Sequence, residues 1–126
     1  MNTVLKNKID IKIYTDGACS GNPGIGGWGV VIVNDKEIIK LNGGKHETTN
    51  NQMELTAAIQ ALEYFPEKKT ITLYTDSKYV KDGVTSWIKK WKINGWKTAN
   101  KKSVKNKDLW QSLDQHISRH NVEFQW

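Results

Sequence analysis

Asp16, Glu54 and Asp76 are the residues of this 126-residue chain whose contexts aim negative charge at one point. Two of them close the same kind of phrase, Ile13-Tyr14-Thr15-Asp16 and Leu73-Tyr74-Thr75-Asp76. Each phrase ends an alternating apolar run, Ile9, Ile11 and Ile13 in the first and Ile71 and Leu73 in the second. Both aspartates therefore fall in the same phase of the two-residue strand repeat, at the C-terminal end of a predicted strand. If the strands pair in parallel, about 4.8 Å apart, the carboxylates become neighbours, and like charges that close repel unless a proton or cation intervenes. A divalent metal is the natural occupant.

Glu54 supplies a third arm. Thr49-Asn50-Asn51-Gln52 reads as a capping box opening a helix, after which Leu55, Ala58, Ile59 and Leu62 recur at helical spacing. Glu54 shares a face with Ala57, Ala58 and Ala61, small residues that let the helix press closely on a sheet. An acid on such a stripe is costly unless something pairs it. Singly, each acid has an ordinary reading: a strand-end Asp caps a turn, and a first-turn Glu complements the helix dipole. The repeated phrase weakens that reading for the three together.

The positioning elements follow from pattern. Gly17 to Gly27 reads as a glycine-rich turn, and Trp28 to Val33 with Lys36 to Leu41 as a hairpin around Asn34-Asp35. A helix from about Thr49 to Phe65, ended with the help of Pro66, leads to a strand from Thr70 to Thr75. A second helical stretch starts near Ser77 and breaks at Asn94-Gly95, and a third runs from about Val104 to Ser118 on a stripe of Leu109, Trp110, Leu113 and Ile117. A strand, Val122 to Trp126, closes the chain. The order βββαβ, then helices and a strand, predicts an α/β fold with a mixed sheet and helices on its faces.

Composition fits one small domain, residues 1–126, with a polyanionic partner. The formal charge is +6, from 19 Lys and Arg against 13 Asp and Glu. The single cysteine, Cys19, rules out an internal disulfide framework, and no signal-like or membrane-spanning apolar run is present, so a reducing cytoplasm is expected. Cys19 itself reads as a small filler in a turn. The loop Gly21 to Gly27 is no phosphate cradle, because no helix and no Gly-Lys-Ser/Thr follow. Between 87 and 107 lies a basic handle in which Trp87, Trp91 and Trp96 alternate with Lys89, Lys90, Lys92, Lys97, Lys101, Lys102, Lys105 and Lys107. Lysines neutralise phosphates and aromatics lie against sugars or bases. The alternatives are a solvated lysine face and a Trp87–Trp91 pair that packs on the core. Trp110, in the third helix's stripe, reads as core.

Thr15-Asp16-Gly17-Ala18-Cys19-Ser20-Gly21-Asn22-Pro23-Gly24, Thr48-Thr49-Asn50-Asn51-Gln52-Met53-Glu54-Leu55 and Tyr74-Thr75-Asp76-Ser77-Lys78-Tyr79-Val80 resemble the three ordered motifs of the ribonuclease H family, type 1, in its bacterial subgroup. The resemblance runs from about residue 9 to the end. It implies a ribonuclease H-like five-stranded mixed sheet and an endonuclease that hydrolyses the RNA strand of RNA/DNA hybrids. It also implies Mg2+, with Mn2+ as a substitute, held by Asp16 as bridging ligand with Glu54 and Asp76. Asn22, Thr49, Asn50, Lys78 and the handle would touch the hybrid, whose 2′-hydroxyls distinguish RNA.

Some positions depart from the family's pattern. Glu47 and Gln52 stand where close bacterial relatives often carry arginine, and Lys78 where glutamine is frequent. The pattern also continues past the position of Trp126 into a His loop, a fourth acid and a final helix, so slow cleavage by these residues alone is expected. A monomer is expected, with apolar surface near Trp126 as a route to association. His46, His116 and His120 do not match the family's mobile histidine and read as surface residues. Two rivals are a hybrid-binding module without activity and a transposase-like nuclease core, the latter opposed by the handle.

Overall fold

The computed structural model describes residues 10–126, so Ile9 of the first apolar run lies outside the described residues. Strands β1 (Ile11–Gly21), β2 (Gly24–Asn34) and β3 (Glu37–Thr48) form an antiparallel meander, and helix α1 (Asn50–Glu63) crosses to β4 (Thr70–Tyr74). Helix α2 (Lys78–Asp82), a wide π turn (Gly83–Trp87) and helix α3 (Ile88–Asn94) follow without a break. Helix α4 (Lys107–Arg119) and strand β5 (Asn121–Gln125) complete the five-stranded sheet, ordered β3-β2-β1-β4-β5. The β1–β4 and β4–β5 pairs are parallel and the others antiparallel. The sheet is thus mixed.

Alternation sets the layers. Ile11 and Ile13 of β1, Val30 and Ile32 of β2 and Ile71 and Leu73 of β4 are buried together, covered by Leu55, Ala58, Ile59 and Leu62 of α1 and by Trp110 and Leu113 of α4. Each such Leu or Ile contributes on the order of 1.5–3 kcal/mol relative to staying exposed. On the opposite phase Lys12, Tyr14 and Asp16 are exposed. The duplicated phrase fixes the β1–β4 register, Ile13 beside Leu73 and Tyr14 beside Tyr74, and the two tyrosine rings stack at 4.8 Å.

Four sequence expectations need correction. The segment Gly17 to Gly27 is mostly strand: pairing of β1 with β2 runs unbroken from Ile11↔Asn34 to Gly21↔Gly24, leaving only Asn22-Pro23 to turn. Glycine is needed there because α1 lies directly on β1, where a Cβ on Gly17 would stand 2.5 Å from the Met53 carbonyl carbon. Only half of the capping box forms. The Thr49 hydroxyl accepts from the Gln52 N–H at 3.2 Å, but the Gln52 side chain turns away, accepting from the Thr48 hydroxyl at 2.8 Å and donating to Asn106 at 3.2 Å.

The third helix starts at Lys107, not Val104, because the Val104 N–H bonds back to the Trp96 carbonyl and closes a loop over residues 96–104. His120 is not a surface residue. It is 5 % exposed, accepting from the Lys69 N–H at Nδ1 and donating from Nε2 to the Leu62 carbonyl, each at 3.0 Å. Both bonds belong to the neutral ring, and burial holds its pKa below the usual histidine value. Arg119 donates to the carbonyls of Leu62, Phe65 and Pro66, so the two side chains together close the C-terminal end of α1.

Candidate active site

The three acids converge. One carboxylate oxygen from each of Asp16, Glu54 and Asp76 lies within 4.8 Å of the others. Asp16 does not end its strand; it projects from the middle of β1, where the parallel ladder with β4 has just stopped at Tyr14 and Tyr74. Asp76 stands two residues past β4, in a turn held by the Ser77 N–H donating to the Thr75 hydroxyl and by Ser77 capping α2 through Val80. Glu54 reaches them from the first turns of α1, which Gly17 admits close to the sheet.

Exposure divides their roles. Asp16 and Asp76 face solvent, whereas Glu54 is 7 % exposed and its Oε1 has no hydrogen-bond partner. Burial first, then the charges of Asp16 and Asp76, push the Glu54 pKa up to about 7, opposed by the Gly17 N–H and the Ser77 hydroxyl. A buried carboxylate oxygen without a donor, in an all-oxygen cluster, fits a hard divalent cation such as Mg2+.

A stability prediction follows from the sign of that shift. The folded protein holds the Glu54 proton more tightly than the unfolded chain, so the benefit is full below about pH 4.5 and is lost as pH rises towards about 7. In EDTA at pH 8, Glu54→Gln should therefore be more stable than the parent, by on the order of 3 kcal/mol at most, with the gap closing near pH 4. Urea melts at the two pH values check this; a parent stability independent of pH across that window contradicts it.

The expected contacts distribute unevenly. Asn22, Thr49, Asn50 and Lys105 line one small cavity of about 100 Å³ at the start of α1, the helix of Glu54, joined by Asn51 and Asn106. Asn51 lies inside the second motif, where its type alone does not mark it as a cavity residue, and Asn106 carries no periodic signal at all. Lys78, Lys89, Lys90, Lys101 and Lys102 are exposed. Trp87, Trp91 and Trp96 are half-buried and engaged with protein: Trp87–Trp91 at 5.9 Å, Trp91–Trp96 at 5.8 Å, and Trp91 on Trp110 at 5.5 Å. Their rings build the handle, and each keeps part of its surface accessible beside the exposed lysines. Cys19 is half-buried, its thiol donating to the Thr48 carbonyl at 3.2 Å. No helix among the described residues is long and apolar enough to cross a membrane.

Known proteins are similar to this chain in sequence and fold. The sequence model of the family described as RNase H matches residues 8–126. A protein of Bradyrhizobium diazoefficiens named Ribonuclease H is 59 % identical, the match covering 92 % of this chain and 75 % of that protein. One of Ehrlichia canis with the same name is 57 % identical, covering 97 % and 84 % respectively. Among solved structures, LC9-RNase H1, described as a type 1 RNase H with the type 2 active-site motif, superposes with a TM-score of 0.81 at 30 % identity. That superposition covers 94 % of this chain and spans 63 % of the other. LC11-RNase H1, solved in complex with an RNA/DNA hybrid, gives a TM-score of 0.69 at 26 % identity, covering 91 % and 83 %. On the family match across residues 8–126 and on the identity to these relatives over most of its length, the chain belongs to the ribonuclease H family of enzymes, alongside the bacterial type 1 members.

Proposed function

We propose that this chain hydrolyses the RNA strand of RNA/DNA hybrids with the help of a divalent metal, Mg2+ or in its place Mn2+, held by Asp16, Glu54 and Asp76. The observation that carries the reading is the convergence of three carboxylates within 4.8 Å around a buried, unpartnered Glu54 oxygen. A divalent ion in such a site lowers the pKa of a water and offsets charge at the phosphate during in-line displacement. The chain's own residues set the geometry. Asp16 is fixed by β1, Asp76 by the Thr75–Ser77 turn, and Glu54 by the α1–β1 contact at Gly17. The Ser77 hydroxyl beside Glu54 is buried and engaged in capping α2 through Val80, so water is the attacking group in this reading, and the phosphorus–O3′ bond of the RNA strand breaks.

Recognition is assigned to the polar cavity formed by Asn22, Thr49, Asn50 and Lys105 and to the lysines of the handle, 87–107. The LC11-RNase H1 complex with an RNA/DNA hybrid supports a hybrid as the duplex bound. The single cysteine and the relatives' bacterial sources favour a cytoplasmic site of action. Offered a hybrid, an RNA duplex and a DNA duplex in Mg2+, the protein should cut the hybrid's RNA strand far faster than the others; equal rates on the RNA duplex would overturn the substrate assignment. Replacing Lys89, Lys90, Lys101 and Lys102 by Ala should weaken hybrid binding and flatten its salt dependence, by about 0.9 in log–log slope for each phosphate left without its lysine. An unchanged slope would make the segment a solvated face.

A further inference from the structure

Asp16 sits within a strand and Glu54 within a helix, but Asp76 stands outside both, in the short turn that leads from β4 to α2. Its side chain is exposed, so no packing fixes it. The placement of its carboxylate therefore depends on what holds the two ends of that turn. On the β4 side the Thr75 N–H donates to the Gln125 carbonyl at 3.0 Å, extending the β4–β5 pairing whose last step sets Tyr74 beside Gln125. On the α2 side the Ser77 hydroxyl accepts from the Val80 N–H and the Ser77 carbonyl accepts from the Lys81 N–H, each at 3.1 Å.

The two anchors are themselves joined. Trp126 follows Gln125, and the Lys81 Nζ lies 4.1 Å from the centre of the Trp126 ring, inside the roughly 6 Å at which an ammonium is attracted to the face of an indole. A closed circuit of contacts results, passing from Asp76 through Ser77, Lys81, Trp126, Gln125 and Thr75 back to Asp76. Trp126 and Asp76 are also walls of one open cavity of about 330 Å³, with Tyr14 and Tyr74 between them and β1. Burial does not hold the outer pair together: Lys81 is exposed, and Trp126 is 52 % exposed just past an edge strand. The cation–π contact ties the end of β5 to α2.

We infer that Lys81 and Trp126 are positioning residues for Asp76, closing a clamp that keeps its carboxylate where one divalent ion can reach it together with Asp16 and Glu54. The inference rests on the metal-site reading above. Ligands held in place before the ion arrives need no ordering when it binds, so a loosened clamp weakens the metal. The charge of Lys81 acts in the opposite sense, because a cation near a metal site repels the ion and its removal alone would tighten binding. The sign of the change separates positioning from electrostatics.

The probe is Mn2+ alone, its binding to the protein followed by electron paramagnetic resonance without nucleic acid. Lys81→Met, which keeps an unbranched stem and deletes the charge, should weaken Mn2+ binding by about two- to fivefold, the fold-change that matches an exposed cation–π contact. Lys81→Arg, whose guanidinium can lie over the same ring, should bind Mn2+ as the parent does. Trp126→Leu should weaken Mn2+ at least as much as Lys81→Met, and in that background Lys81→Met should not weaken it further, because its partner is gone. Parental or tighter Mn2+ binding in Lys81→Met would overturn the inference, and so would additive losses in the double variant. A lowered melting temperature with unchanged Mn2+ affinity would make the contact a stabilising one alone and would also overturn it. Failure of the parent to bind Mn2+, or binding that Asp16→Asn leaves unchanged, would overturn the metal-site reading and the clamp with it. Binding that Asp16→Asn abolishes but that both Lys81→Met and Trp126→Leu retain in full overturns the clamp alone. If Trp126→Leu fails to fold, Lys81→Met against Lys81→Arg decides the matter, since both change an exposed side chain.

Discussion

Asp16→Asn or Asp76→Asn should each reduce metal-dependent hydrolysis of an RNA/DNA hybrid by at least a hundredfold, about 2.7 kcal/mol of barrier, while hybrid binding survives. Both side chains are exposed and make no structural hydrogen bond among the described residues, so neither substitution removes a folding interaction. Each does remove a negative charge from a cluster whose members repel one another, as the raised pKa of Glu54 records. The metal-free variants should therefore be no less stable than the parent. Initial rates in Mg2+ against anisotropy in EDTA separate chemistry from binding. Near-normal turnover in either variant would place the reaction elsewhere on the molecule.

Trp110→Ala should cost about 3–5 kcal/mol of stability, since the ring is fully buried and its loss leaves a cavity at the junction of α4 with the handle. For a domain of this size that is a fall of roughly 10–20 °C in melting temperature. The effect should extend beyond stability, because Trp87, Trp91 and Tyr79 all rest on this ring and Trp110 Nε1 anchors the Tyr79 hydroxyl. In the surviving folded protein the handle's lysines should lose their fixed placement, and hybrid affinity should fall with them. Calorimetry and binding on the same sample check both; a small loss of stability would mean that the handle packs independently of α4.

The acid site is the most legible part of the sequence because a repeated phrase encodes register. Two copies of an apolar alternation ending in Tyr-Thr-Asp align in a parallel pair, as Tyr14 on Tyr74 demonstrates, and the two aspartates then have nowhere to go but together. The helix of Glu54 is equally readable from its periodic stripe. Where local pattern misleads, the deciding partner is remote. Glycines 17 to 27 look like a turn on local preference, yet Gly17 is small to admit the Met53–Glu54 backbone.

The π turn at Gly83–Trp87 is another such case. A side chain at Gly83 would stand inside the Trp110 ring, so the glycine that opens the turn is required by a residue 27 positions later. The tryptophans of the handle read equally well as binders or as packing, because an i,i+4 pair shows which residues share a face but not what lies against it. Trp110 is what lies against one side of Trp87 and Trp91. His120 reads as a surface residue for a similar reason: its partners, Leu62 and Lys69, are distant in sequence and leave no trace in local pattern.

The central claim is tested most directly by a strand-resolved cleavage assay. A hybrid labelled separately on its RNA and DNA strands is incubated with the protein in Mg2+, and then with EDTA added in excess. The account predicts that only the RNA strand is cut, that the fragments carry 3′-hydroxyl and 5′-phosphate ends, and that EDTA stops the reaction. Cleavage that continues in EDTA would contradict a metal site built on Asp16, Glu54 and Asp76, and fragments ending in a 2′,3′-cyclic phosphate would show attack by the RNA's own 2′-hydroxyl in place of water.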